Sequence, residues 1–458
     1  MKPTVNSLGT KDVAYHLHSY SNPHKIAATG PLIITRGEGI YVFDIDGKKY
    51  IEGVSALWYA SLGFSESRLI EAAHRQMMKM PCYHSFGNKV TDVTIELAEK
   101  LIAMAPVPMS KVYFANSGSE GNDTALKMVR FFNNALGRPR KKKVISRQKA
   151  YHGTTLATAS LTGIPRNHLG FDLPIAGILH TDCPHYYRYG NAGESEAQFV
   201  DRIVGNLETL IRGEDPDTVA AFWAEPVLGS GGVIVPPADY YRKVKDVLDK
   251  YDILFVADEV ICGFGRLGHM FGSQAFDLKP DMIVVAKGLS SGYQPISALL
   301  VNERVYKALA EGSDKFGVFG HGFTYSGHPV PAAVALETLK LYEERQLLAH
   351  VREISPRFQA GVRRLATYPF VGEVRGMGLI AGIELVTDKS SRENFDPSVK
   401  ASLAFEMSCL EEGLIVRAIG DTVAVSPPLI ITADEIDDLL VRLERGLKRF
   451  CQTMSNRA

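Results

Sequence analysis

Residues 282–288, with the sequence MIVVAKG, decide the fold, because five apolar residues run directly into a lysine and a glycine. An apolar run of this length is typical of a strand that is buried on both faces. In open α/β sheets, ligands bind beyond the carboxyl ends of the strands. A lysine that loses water there also loses its preference for the charged form, and its amine becomes free to form an imine. The simpler alternative is that Lys287 only reaches solvent from a strand end.

Similar short apolar runs alternate with helical patterns from about residue 65 to residue 330. They cover residues 112–114, 144–145, 219–223, 253–257 and 298–301. This alternation predicts an α/β fold with helices layered around a mostly parallel sheet. After about residue 331 the pattern changes to a long helix, then mixed segments, and finally an amphipathic helix over 434–450. These segments predict a smaller α+β domain.

The length of 458 residues is more than one hydrophobic core usually serves, so we expect several parts. Residues 1–58 form an N-terminal segment that contains a short hairpin around Asp46-Gly47 and packs with the small domain. Residues 59–331 form the large domain, and residues 332–458 form the small C-terminal domain.

The composition excludes several classes of function. Lys+Arg and Asp+Glu both number 51, so no net charge favours nucleic acid or an anionic membrane. The sequence contains no stretch of about 20 apolar residues, and residues 1–22 lack the apolar core of a signal peptide. The five scattered cysteines indicate reduced thiols. We therefore expect a cytoplasmic protein without a nucleic-acid or membrane partner.

Two further strand ends carry polar groups that complement Lys287. Asp258 directly follows the run 253–257, and the run 112–114 leads into Ser117-Gly118-Ser119-Glu120. The S-x-x-E pattern is that of a capping box, and a helix N-terminus offers donors to a phosphate. Each feature alone is more often an ordinary strand end or capped helix. Together they provide what pyridoxal 5′-phosphate (PLP) needs: a lysine for its aldehyde, donors for its phosphate and a carboxylate for its pyridine nitrogen.

Longer motifs support this interpretation. The chain carries NSGSE at 116–120, YHG at 151–153, AEP at 224–226, ADEVICGFGR at 257–266, AKG at 286–288 and GFTYSGHP at 322–329. With these motifs in this order, the sequence resembles the class III aminotransferases of the fold-type I PLP enzymes. Within that family it is most similar to the pyruvate-dependent ω-transaminases.

The resemblance implies roles for the matching cofactor-site residues. Lys287 would hold PLP as a Schiff base and then move a proton between the substrate carbon and the cofactor. Asp258 would pair with the pyridine nitrogen, and Gly118 and Ser119 would bind the phosphate. Tyr151, which shares a motif with His152, would stack on one face of the cofactor ring, and Val260 would pack against the other face. Glu225 would support the cofactor site by hydrogen bonding. Thr324 would contact the phosphate bound in the neighbouring subunit. The last contact implies a homodimer, which could assemble further into a tetramer.

The resemblance also implies a substrate pocket. Arg417 matches the mobile arginine that binds a substrate carboxylate, and a keto acid does need such a bidentate cation. Apolar walls would come from Trp58, Leu57, Phe86 and Tyr20, together with Tyr151, although Tyr20 and Phe86 could equally be ordinary core residues. Ser230 departs from the alanine of several relatives, so the substrate range of those relatives does not carry over to this chain.

The resulting expectation is a ping-pong aminotransferase that moves an amino group from a primary amine or ω-amino acid to a keto acid, pyruvate in particular. Aminomutases, racemases and decarboxylases share Lys287 and Asp258, so they remain alternatives. A non-catalytic binding protein on the same fold predicts the loss of one of these two residues, and both are present.

Two other sequence patterns suggest different functions. Residues 263–268 match the G-x-G-x-x-G pattern of NAD-dependent dehydrogenases, but that fingerprint should open a helix, and residues 269–272 are a poor helix start. His180, Asp182, Cys183 and His185 fit no common zinc spacing, so no metal site is expected.

Overall fold

The computed structural model describes residues 7–456, which form three β-sheets with helices packed around them. Residues 1–6 and 457–458, which belong to the first and last predicted segments, lie outside the described residues. The strands, in chain order, are β1 (Ile34–Glu38), β2 (Tyr41–Asp44), β3 (Lys49–Glu52), β4 (Lys111–Ala115), β5 (Lys143–Arg147), β6 (Ile178–Thr181), β7 (Val219–Ala224), β8 (Leu254–Asp258), β9 (Met282–Val285), β10 (Ser297–Val301), β11 (Val371–Met377), β12 (Ile380–Leu385), β13 (Leu414–Ile415), β14 (Arg417–Ile419) and β15 (Thr422–Val425).

The α-helices lie between and around these strands. In chain order they are α1 (Leu8–Tyr15), α2 (Pro23–Thr29), α3 (Ser55–Trp58), α4 (Ser67–Lys79), α5 (Asp92–Met104), α6 (Gly118–Ala135), α7 (Leu156–Leu161), α8 (Tyr186–Tyr189), α9 (Glu196–Gly213), α10 (Tyr240–Lys250), α11 (Gly272–Ala275), α12 (Glu303–Phe316), α13 (Pro329–Glu344), α14 (Leu347–Arg363), α15 (Ala401–Glu411) and α16 (Ala433–Ser455). Among the described residues, no helix is both long and apolar enough to span a membrane.

The large sheet has seven strands in the order β4-β10-β9-β8-β7-β5-β6. Strands β5 to β9 pair in parallel, which confirms the mostly parallel sheet. Strand β10, predicted from the run 298–301, pairs antiparallel with both β9 and β4. The reason is local: the segment between β9 and β10 holds a short 3₁₀ helix over Lys287–Leu289 but no crossover α-helix, so the chain returns in the opposite direction.

Helices cover both faces of the large sheet and form two apolar cores. One core packs α6 and α12 against one face, and the other packs α9 and α10 against the opposite face. Every residue of β7, β8 and β9 is buried, which explains why these strands are continuous apolar runs in the sequence. Full burial of one large aliphatic or aromatic side chain contributes about 1.5–3 kcal/mol to the hydrophobic stabilisation.

The two smaller sheets are built from strands of the N-terminal and C-terminal parts of the chain. One is antiparallel with the order β11-β12-β15-β14, and helices α14, α15 and α16 pack against it. The other has the order β1-β2-β3-β13 and contains the hairpin expected around Asp46-Gly47. Asp44 fastens this turn by accepting from the backbone N–H groups of Asp46 and Lys48. The two-residue strand β13 joins from the C-terminal part and pairs in parallel with β3. The domain limits at residues 58 and 331 remain predictions.

The contact between β3 and β13 leaves no space beside Gly53. The Gly53 N–H donates to the Ile415 carbonyl oxygen at 2.9 Å, and a Cβ on Gly53 would stand 2.6 Å from that oxygen. Only glycine therefore fits where the two strands meet.

We predict that Gly53→Ala lowers the stability of the protein by about 1–3 kcal/mol, because the added methyl group forces the two strands apart. Thermal unfolding at a fixed cofactor concentration measures the change. Gly205→Ala is the matched control, since Gly205 is exposed within α9 and nothing lies within 4 Å of an added Cβ. There the same substitution should stabilise by about 0.5–1 kcal/mol. Equal midpoints for the two variants would contradict the prediction.

Candidate active site

The carboxyl ends of β7, β8 and β9 bring three ionisable residues to one edge of the large sheet. Glu225 follows β7, Asp258 is the last residue of β8, and Lys287 lies two residues beyond β9. All three line one cavity of about 430 Å³. The same cavity is lined by the predicted cofactor residues Gly118, Ser119, Tyr151, His152 and Val260. The structure thus gathers every predicted cofactor residue except Thr324.

The N-terminus of α6 forms one wall of this cavity. Ser117 Oγ caps the helix by accepting from the Glu120 N–H at 3.2 Å. The reciprocal half of the predicted capping box does not form, because the Glu120 carboxylate accepts from the backbone and side chain of Asn116 instead. The first-turn N–H groups of Gly118 and Ser119 have no helical acceptor and remain available to an anion. A Cβ on Gly118 would stand 3.0 Å from Val260 Cγ2, so glycine fits this wall closely.

Asp258 is almost fully buried, at 3% exposure, and accepts hydrogen bonds from three donors. Its Oδ2 accepts from Asn122 Nδ2 at 2.7 Å and lies 2.8 Å from His152 Nδ1. Its Oδ1 accepts from the Val260 N–H at 3.1 Å. These hydrogen bonds fix the orientation of the carboxylate at the edge of the sheet. Sequence reasoning missed Asn122, although its spacing of four residues from Gly118 places both on one face of α6.

Lys287 begins the 3₁₀ helix that follows β9, and its backbone adopts the left-handed conformation with φ 48°. Burial lowers the pKa of Lys287 from 10.5 to about 8, although the carboxylates of Asp258 and Glu225 act in the opposite direction. The amine is therefore uncharged far more often near neutral pH than an exposed lysine. An uncharged amine is the nucleophile that attacks a carbonyl group.

Glu225 connects Tyr151, the residue expected to stack on the cofactor ring, to the loop that follows β7. One carboxylate oxygen accepts from the Tyr151 N–H and the other from the Gly229 N–H, each at 2.9 Å. Burial raises the pKa of Glu225, and the nearby Asp258 adds to this effect. The hydrogen-bond support expected of this residue is thus directed at the backbone of the protein.

A second cavity of about 1080 Å³ adjoins the first, and Tyr151 and Lys287 line both. It is also lined by Tyr20, Leu57, Trp58, Ser230 and Arg417. Trp58 is buried, whereas Leu57 and Tyr20 are 50% and 60% exposed. Left-handed φ values at Ser55, Ala56 and Trp58 show that this wall is built from strained backbone.

Arg417 carries a cation into the second cavity. Burial lowers its pKa, while the carboxylate of Glu406 acts against this effect. Glu406 itself accepts from the Ala418 N–H at 3.0 Å. Within residues 7–456, no carboxylate forms an ion pair with the Arg417 guanidinium. This arginine is therefore free to bind an anionic ligand.

Phe86 and Thr324 do not line either cavity within the single chain. The Phe86 ring packs against Gly322, close to Thr324, on another part of the surface. Both residues are exposed, as is Tyr325, the chain neighbour of Thr324. Exposed apolar side chains that cluster on a surface often mark an interaction site.

The residues of the two remote alternatives take part in other local arrangements. Residues 263–268 form turns, and the next helix, α11, spans only four residues from Gly272. His180 lies 3.3 Å from a backbone carbonyl, whereas His185 Nε2 lies 2.8 Å from Glu373 and Asp182 accepts from Asn206. These side chains are directed to different protein partners.

A nucleophilic lysine, a strand-end carboxylate and a phosphate-sized set of donors around one sheet edge define a fold-type I PLP enzyme. Residues 24–447 match the family model described as Aminotransferase class-III. The chain belongs to the class III aminotransferase family. This confirms the expected fold class, the transaminase activity and PLP as cofactor.

Similar proteins agree with this assignment. The chain is 51% identical over 419 residues to gamma aminobutyrate transaminase 3, chloroplastic, of Solanum lycopersicum, covering 91% of this chain and 81% of that protein. The omega transaminase from Pseudomonas jessenii in complex with PMP is 53% identical, with a TM-score of 0.96 and coverage of 97% and 98%. Another similar structure is that of a thermostable omega transaminase variant engineered for asymmetric synthesis of enantiopure bulky amines, with substitutions of a tryptophan, a phenylalanine and an arginine. It is 52% identical, with a TM-score of 0.96 and coverage of 97% and 99%.

The pKa of Lys287 predicts how cofactor uptake depends on pH. Because only the uncharged amine attacks the aldehyde, the rate at which cofactor-free protein regains the visible band of bound PLP should rise with pH and level off above about 8. Stopped-flow absorbance measures this rate. Binding of pyridoxamine phosphate, which forms no bond with the lysine, is the control and should lack the step near pH 8. A midpoint near the ordinary lysine value of 10.5 would contradict the prediction.

Proposed function

We propose that the protein moves an amino group from a primary amine or ω-amino acid to a keto acid, with pyruvate as acceptor, by a ping-pong mechanism. The observation that carries this proposal is that Lys287 and Arg417 line the same cavity, beside Trp58. In a ping-pong reaction, one pocket must accept the amine and then the keto acid. A buried aromatic wall suits the former, and a cation without an ion pair suits the latter.

The side chains of this chain divide the chemical work. Bound PLP supplies an electron sink that stabilises negative charge on the substrate carbon. Lys287 holds the cofactor and then carries the proton between the substrate carbon and C4′ of the cofactor. Asp258, supported by His152, keeps the pyridine nitrogen protonated. Gly118 and Ser119 bind the phosphate. The ring faces are covered by Tyr151, whose backbone Glu225 holds, and by Val260.

Substrate choice depends on Arg417 in this proposal. A keto acid carboxylate would accept two parallel hydrogen bonds from the guanidinium, whereas an uncharged amine requires the guanidinium to swing aside. Trp58, Leu57 and Tyr20 supply the apolar wall, and Ser230 adds one hydroxyl group. The name of the Solanum lycopersicum relative supports ω-amino acids as donors. The variant engineered for bulky amines supports control by a tryptophan and an arginine.

The proposal includes a homodimer with shared active sites. Thr324 and Phe86 lie together on an exposed apolar face and do not line their own chain's cavity. A second copy would bury this face, bring Thr324 to the cofactor phosphate and complete the apolar wall with Phe86. The arrangement accounts for both residues with a single interface.

Other PLP reactions on this fold would use the same Lys287 and Asp258, so the pocket must discriminate between them, and a cation beside an aromatic wall suits recognition of both a keto acid and an amine. The arrangement of Arg417 and Trp58 therefore favours transamination over aminomutase, racemase or decarboxylase chemistry.

The five cysteines are free, which suits a reducing compartment such as the proposed cytoplasm. The relative from Solanum lycopersicum is named chloroplastic, so the compartment stays a prediction.

Absorbance spectra test the half-reactions directly. An amine without acceptor should bleach the visible band of the bound cofactor, and pyruvate should then restore it. Lys287→Ala should abolish turnover, because the group that moves the proton is lost. Steady-state transamination by this variant at an appreciable rate would overturn the assignment. A band that no amine in a broad panel bleaches would overturn the proposed amine donors.

Arg417→Ala should raise the KM for pyruvate by about ten- to a hundredfold, because a charge-assisted hydrogen-bond pair is lost. The half-reaction with an uncharged amine should change little. Arg166→Ala is the matched control, since Arg166 is a second arginine of the same cavity and would share a purely long-range effect. Equal losses for pyruvate and amine, or equal losses in the two variants, would contradict the assigned role.

A further inference from the structure

A chain of buried hydrogen bonds lies behind Asp258. Trp223, on β7, donates from Nε1 to Asn122 Oδ1 at 2.8 Å. Asn122 Nδ2 donates to Asp258 Oδ2 at 2.7 Å and to the His152 carbonyl oxygen at 3.0 Å. His152 Nε2 lies 3.1 Å from Ser146 Oγ on β5. All five side chains are at most 3% exposed, so water does not compete for these hydrogen bonds.

The indole group gives this chain a fixed direction. An indole N–H only donates, so the atom of Asn122 that faces Trp223 must be the amide oxygen. Both amide protons of Asn122 then point away from Trp223, towards Asp258 and the His152 carbonyl. A rotated amide would present its oxygen to the acceptor-only carboxylate and its protons to the indole proton. Trp223 thus determines that Asn122 acts as a donor to Asp258.

As a consequence, the two oxygens of the Asp258 carboxylate have different numbers of hydrogen-bond donors. Asp258 Oδ2 has the donors Asn122 and His152, which occupy the two acceptor positions of that oxygen. Asp258 Oδ1 has the Val260 N–H within the described residues, which leaves room for a second donor. A protonated pyridine nitrogen is a donor of the right kind, and Asp258 lines the cofactor cavity.

We propose that Trp223, acting through Asn122, is a positioning residue that fixes the Asp258 carboxylate and directs its second oxygen to the pyridine nitrogen of PLP. This inference rests on the proposed role of Asp258. Neither Trp223 nor Asn122 is a catalytic residue in this proposal, because both act through Asp258. Loss of the indole N–H leaves the buried Asn122 oxygen without its donor, which loosens the amide and weakens its hold on the carboxylate.

Two variants test the network. Trp223→Phe keeps an aromatic ring in the core and removes only the N–H donor and one ring. Asn122→Asp keeps the shape of the side chain but sets a second carboxylate against Asp258, and two such groups in contact favour sharing a proton. The readouts are the ¹⁵N chemical shift of ring-labelled PLP on the enzyme and the dissociation constant of pyridoxamine phosphate.

We expect Trp223→Phe to raise this dissociation constant by about five- to tenfold, and Asn122→Asp to raise it by more than about tenfold. In both variants the ¹⁵N shift should move from the protonated towards the unprotonated ring, more strongly for Asn122→Asp. Phe222→Leu is the matched control, because Phe222 neighbours Trp223 on β7 but packs into the core on the other face of the sheet. It should lower the melting temperature and leave the ¹⁵N shift unchanged.

Asp258→Asn separates failure of this inference from failure of the proposed function. If Asp258→Asn moves the ¹⁵N shift while Trp223→Phe keeps the wild-type shift and affinity, the network is purely structural and the inference is overturned. If Asp258→Asn also leaves the shift unchanged, the proposed role of Asp258 is overturned as well. Trp223→Phe decides the matter alone if Asn122→Asp does not yield folded protein.

Discussion

The parallel pairing of β7, β8 and β9 is the constraint on which the rest of the site depends. Because these strands run in one direction in adjacent positions, their carboxyl ends meet at one edge of the sheet. Glu225, Asp258 and Lys287, which are far apart in sequence, therefore line one cavity. Helices on both faces bury the strands completely, and this burial removes water from the amine and the carboxylates. Burial is also the main cause of the lowered pKa of Lys287.

Much of this arrangement could be predicted from the sequence, because it is encoded locally. Apolar runs that end in Asp258 and Lys287 reveal buried strands and their polar ends, and Asp46-Gly47 reveals a hairpin. The direction of β10 could not be predicted in this way, since the run 298–301 is as apolar as its parallel neighbours. The hydrogen bond from the Asn116 N–H to the Glu120 carboxylate could not be predicted either, because the S-x-x-E pattern predicts a capping box and does not reveal a competing donor.

Long-range contacts account for the other residues that the sequence could not place. Trp223 lies within an apolar strand and reads as an ordinary core residue, and its hydrogen-bond acceptor is 101 positions away in the chain. Nothing in the periodicity of β7 reveals that an indole N–H is needed there. Phe86 and Thr324 present a different difficulty, because the role proposed for each requires a second copy of the chain.

The two-residue strand β13 has a consequence for how the substrate pocket can change during evolution. It pairs with β3 immediately before Arg417, and β3 ends shortly before Trp58, so the charged and the aromatic walls share one hydrogen-bonded joint. The Gly53 N–H and the Ile415 carbonyl oxygen form this joint. Because both walls share this joint, we expect substitutions at the two walls to be non-additive, so that the effect of changing one wall depends on the residues already present at the other.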